Sequence, residues 1–85
     1  MTMSMRDIAW KLLDQTCAEI DATMARKNDI DKARALLVNA GVHEDILNML
    51  DNELDDAKIE VRELLIQRFI MRAGMRSRGW LSDGE

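Results

Sequence analysis

Residues 44–74 read EDILNMLDNELDDAKIEVRELLIQRFIMRAG, and this stretch decides the fold. It holds no proline, and its first glycine is Gly74. Leu47, Leu50, Leu54, Ala57, Val61 and Leu64 recur at alternating steps of three and four, the spacing of a packed helical seam. Glu44 and Asp45 fall in the first turn, where carboxylates favour the positive end of the helix dipole. The spacing predicts one helix over residues 44–73. From Ile59 a second apolar row joins the first: Ile59, Ile66, Ile70 and Ala73. At about 100° per residue it lies roughly 140–160° round the helix from the seam.

The C-terminal half of this helix is therefore apolar on two faces. About 30 residues of helix make a rod of about 45 Å. A compact domain of 85 residues has a radius of gyration of only about 12 Å. Such a rod breaks or projects, and a projecting segment with two apolar faces needs cover. The expected cover is a second copy of the chain, with Ile59, Ile66 and Ile70 as the self-association residues.

Upstream, Ser4 sits three residues before Asp7, a short-armed capping box that starts a helix. Ile8, Leu12, Leu13, Thr16, Cys17, Ile20 and Met24 follow at helical spacing. They predict a first helix over about residues 5–26. Asn28 or Asp29 then opens a shorter helix over 29–40, with Ile30, Ala33, Leu36, Leu37 and Ala40 inward. Gly41 supplies the left-handed residue that ends it. Past Gly74 the chain reads as a flexible tail over 75–85, containing Trp80 and Leu81. The expected architecture is a single all-α domain, a dimeric three-helix bundle with a long C-terminal helix.

Composition supports helix over strand: there is no proline, and Ala, Leu, Met, Glu, Lys and Arg dominate. A chain this short buries only about 60–65% of its unfolded surface. One cysteine, Cys17, and one histidine, His43, exclude an intrachain disulfide or a His/Cys zinc site built from one copy. Oligomerisation is the remaining staple. The longest apolar run, Ala35-Leu36-Leu37-Val38, is four residues, against about 20 for a membrane span. The lone thiol and the absence of an apolar run near residue 1 lead us to expect a cytoplasmic protein.

Net charge is −4 and unevenly spread. Residues 44–60 carry seven acids against Lys58, a balance of −6. Residues 61–78 carry Arg62, Arg68, Arg72, Arg76 and Arg78 against Glu63, a balance of +4. Asp51, Asp55 and Asp56 are expected on an outward acidic face that a basic partner could read. A calcium loop starting at Asp51 would need Gly and Glu where Asp56 and Arg62 stand. Arg72, Arg76, Arg78, Trp80 and Leu81 form a second candidate contact, because Arg and Trp are favoured anchors; the alternative is that Trp80 folds back on the bundle. The Arg68, Arg72 and Arg76 stripe is otherwise expected to pair with acids of its own fold or of a second copy, such as Asp55 and Asp56.

Setting Gly41 as the ninth residue of a helix-turn-helix pattern puts Leu36, Ala40, Val42, Leu47 and Leu50 on its apolar positions. Leu37 falls where a small residue belongs. The would-be reading helix opens with His43, Glu44 and Asp45, whose carboxylates repel phosphate. His43 has no partner spaced as a catalytic triad would need, and no phosphate-cradling or nucleophile motif is present. The chain also looks too small for a deep pocket. These readings predict a non-enzymatic protein without cofactors. Its expected role is protein–protein interaction, as a small bacterial or phage accessory protein that inhibits or tethers a partner. A helix-turn-helix regulator and a structural homodimer subunit are the alternatives.

Overall fold

The computed structural model describes residues 2–81. Its described residues are all-helical, but they form two helices where the sequence predicts three. Helix α1 spans Met5–Asn39 and helix α2 spans Glu44–Ser77. Contacts between them keep a nearly constant sum of residue numbers: Arg34 with Asp51, Arg26 with Glu60, and Thr16 with Gln67. That constancy defines an antiparallel hairpin. It measures 57 × 27 × 17 Å, with a radius of gyration of 18.2 Å.

The expected break at Asn28 and Asp29 does not occur. Residues 23–32 contain neither glycine nor proline. Asn and Asp in a helix interior cost only about 0.6 kcal/mol each relative to Ala. Against that stands a seam running straight through the segment: Leu13, Thr16, Ile20 and Thr23 are buried, and Lys27, Ile30, Arg34 and Leu37 are half-buried at the same alternating steps. Lys27 and Asp31 form an i,i+4 pair across the segment at 3.8 Å. The unbroken α1 matches α2 in length, so the long helix does not project alone.

On α2 the predicted seam holds, with Leu54, Ala57 and Leu64 buried and Leu47, Leu50 and Val61 half-buried. It extends through Arg68 and Met71 to buried Met75. Ala57 has no exposed surface, so its small side chain lets the two helices approach there. Buried Thr16 is satisfied locally: its hydroxyl donates to the Leu12 carbonyl at 3.0 Å and accepts from Gln67 Nε2 at 3.4 Å. The α1 stripe is narrower than predicted. Ile8, Leu12 and Met24 lie outside the seam and stay exposed.

Ser4 caps α1, its hydroxyl accepting from the Asp7 backbone N–H at 3.2 Å. His43 caps α2 through Nδ1, which accepts from the Asp45 N–H at 3.1 Å. At the end of α1, Gly41 takes the expected left-handed φ of 71°. Val42 N–H then donates to the Leu37 carbonyl, and Gly41 N–H to that of Val38. This is a Schellman motif.

The end of α2 corrects the reading of residues 75–81 as a flexible tail. The helix passes through Gly74, at a cost of about 1 kcal/mol, and burying Met75 outweighs that cost. A second Schellman motif closes it: Gly79 has φ 75°, Trp80 N–H donates to the Met75 carbonyl at 2.9 Å, and Gly79 N–H to that of Arg76 at 3.0 Å. Leu81 is 5% exposed and joins Leu13 and Met75 in a small core flanked by Trp10 and Trp80. Residues 82–85 of the expected tail lie outside the described residues.

Two stability outcomes follow. Ile20→Ala removes a buried seam residue and should cost about 2–4 kcal/mol in urea unfolding. A Cβ at Gly79 would meet no atom within 4 Å, so Gly79→Ala should cost only the left-handed strain, about 1–2 kcal/mol.

Candidate interaction surface

A two-helix hairpin has one internal interface, so everything opposite the seam faces solvent. On α2 that outer face changes character along its length. Over residues 44–56 it carries Glu44, Asp45, Asn48, Asn52, Asp55 and Asp56, with Met49 among them, all exposed. From residue 59 apolar side chains dominate it, interrupted by exposed Arg62 and Glu63. Ile59 is 46% exposed, Ile66 54%, Phe69 72% and Ile70 63%. Ala73 continues the row and Leu65 flanks it, both exposed. Taking roughly 200 Å² for a fully exposed residue of this size, the four larger side chains present about 450 Å². That is within the range of the largest apolar patch on a typical monomer, a feature that commonly marks an interaction site.

The apolar surface continues sideways. Ile70 and Leu12 wall a groove of about 320 Å³ whose end is closed by Trp80 and Arg78. The Arg78 guanidinium stacks 5.4 Å from the Trp80 ring centroid. On the other side, Trp10, Cys17, Arg72 and Leu81 line a cleft of about 540 Å³. The hairpin thus carries concavities of several hundred cubic ångströms, which the sequence leads one not to expect. They are open furrows between two rods. Cys17 is half-buried in mid-helix, as a packing role requires.

The other predicted site residues fall in different places. Asp55 and Asp56 are exposed on the outer face, but Asp51 is not on it. Asp51 lies at the seam edge and receives both Nε and Nη2 of Arg34. Glu60 is held by Arg26 at 2.8 Å. Within one chain, the pairing of Arg68 and Arg72 with Asp55 and Asp56 is not formed. The antiparallel fold sets the acidic half of α2 beside Arg26 and Arg34 of α1. Residues 55 and 68 are separated by about 20 Å along their own helix. Among the described residues, Arg62, Arg68 and Arg72 make no ion pair. Arg68 lies half-buried in the seam, and Arg72 lines the cleft beside Asp14. Trp80 and Leu81 are packed against their own hairpin.

Sequence reasoning placed Ile59, Ile66 and Ile70 together and missed Phe69, the most exposed member of the ridge. Its position three residues past Ile66, on the same side of the helix, was the available signal. Among the described residues no three His, Cys, Asp or Glu side chains converge as a metal site would require. No helix among them is long and apolar enough to cross a membrane.

Because Leu81 is buried and Phe69 is not, they should respond oppositely to truncation. Leu81→Ala should lower unfolding stability by about 2–3 kcal/mol. Phe69→Ala should leave the helical circular dichroism of the dilute protein intact.

No protein-family model matches this chain, and no curated protein or solved structure is similar enough to show a shared family.

Proposed function

We propose that this chain is a non-catalytic protein–protein interaction module, a helical hairpin whose docking face is the outer face of α2. The observation that carries this reading is the exposed ridge of Ile59, Ile66, Phe69 and Ile70. Leaving aliphatic and aromatic side chains in water forfeits about 25 cal/mol per Å² that a partner would recover. The acidic stretch around Asp55 and Asp56 borders the ridge, giving it the apolar centre and charged rim of a docking surface. The expected self-association falls on the same ridge. A lone half-buried thiol suits a reducing, cytoplasmic setting.

In this reading Trp80 and Leu81 brace the open end of the hairpin, so the contact surface lies one turn upstream of the tail. A DNA-reading role gains no support. The motif needs two helices at about 90–120°, whereas α1 and α2 run antiparallel through the Gly41 turn.

A photocrosslinking side chain placed at Phe69 tests the reading. It should give defined protein adducts in cells, while the same probe at exposed Lys32, on the far side of α1, should give few. Equal labelling from both positions, or none from Phe69, would contradict it.

A further inference from the structure

We infer that the protein seated on this ridge is a second copy of the chain, lying antiparallel to the first with Ile66 at the twofold axis. This rests on the reading of the ridge as a docking face and adds its occupant and register. The apolar row runs from Ile59 to Ala73, and Ile66 is its midpoint. Two identical rows overlap completely only if they are superposed end to end, which lays the exposed Arg62 and Glu63 that interrupt each row beside the partner's Ile70 and the partner's Phe69. In an antiparallel pair that condition sets Ile66 against the partner's Ile66, and Ile59 against the partner's Ala73. A parallel pair could also superpose the rows, so charge must choose between them.

The charges choose the antiparallel pair. Immediately before the row come Asp55 and Asp56, and immediately after it come Arg76 and Arg78. With Ile66 on the axis, Asp55 and Asp56 lie across from the partner's Arg76 and the partner's Arg78. Both ends of the interface then match opposite signs. A parallel pair would oppose Asp55 and Asp56 to their own copies, and Arg76 and Arg78 to theirs. Like charges so placed are destabilising. The area also fits. A stable interface buries about 800 Å² on each partner, and the ridge supplies about 450 Å² of it as an apolar core. The rim comes from the acidic and basic flanks. The result is two hairpins back to back, a four-helix arrangement with the α2 helices at its centre.

Single cysteines in a Cys17→Ser background read the register directly. Under mild oxidation Ile66→Cys should form a disulfide-linked dimer efficiently. Ile59→Cys alone and Ala73→Cys alone should not, because each would lie about 21 Å from its copy along the axis. Mixing those two variants should restore cross-linking between them. Sedimentation of the wild-type chain should give a dimer, and Phe69→Glu a monomer of unchanged helicity. Asp55→Lys with Asp56→Lys should weaken the dimer roughly tenfold. Ile59→Cys and Ala73→Cys each linking to itself would mean a parallel pair and overturn the register. A wild-type monomer at 100 µM (~1 mg/ml, well above the affinity of a standard interface) would overturn the second-copy assignment. In that event, adducts from Phe69 to a different protein would leave the docking face standing. No adducts would remove both.

Discussion

Everything in this molecule depends on a single antiparallel seam between two helices of nearly equal length. Its repeat of threes and fours runs from Leu13 to Leu37 on α1 and from Leu47 to Met75 on α2. Small or short residues stand at several of these positions, including Thr16, Thr23 and Ala57. They let the rods approach closely but supply little apolar area. Polar groups at the seam edge, such as Arg34 with Asp51, set the register more than they add stability, because half-exposed ion pairs contribute at most about 1 kcal/mol. The hairpin is therefore long, well registered and thinly cored.

That seam dictates what remains outside. One interface can cover only one stripe per helix, so a helix apolar on two sides keeps one of them in water. The outer face of α2 is that side; acids are concentrated before residue 57 and large apolar side chains after it, with Arg62 and Glu63 between Ile59 and Ile66. The open end is sealed separately, by the Schellman turn at Gly79 that folds Leu81 onto Leu13 and Met75. The exposed apolar side chains and the internal packing thus occupy different residues of the same helix.

Much of this was legible in the residues. The α2 repeat, the Ser4 cap, the left-handed Gly41 and the second apolar row at Ile59, Ile66 and Ile70 are local signals, and each corresponds to a feature of the fold. What was not legible is decided by packing between helices. Asn28 and Asp29 resemble a helix start when read locally, but the cost of carrying them mid-helix is small beside the seam they would interrupt. Gly74 resembles a stop, yet Met75 is worth burying. The stop is Gly79, followed by an apolar residue, and that pair was a readable sign of a Schellman end. The partners of Asp51 and Glu60 could be assigned only once α1 was known to be continuous, because Arg34 and Arg26 reach them only from an unbroken helix.

The continuity of α1 is the point on which the exposed ridge stands. Were the chain to bend at residue 28, its second segment could fold across α2 and cover Ile59 and Ile66. Backbone carbon chemical shifts over residues 24–32 test this most directly. The account predicts unbroken helical values through Asn28 and Asp29. Non-helical values at residues 27–30 would contradict it, restoring a three-helix bundle and removing the unpartnered face.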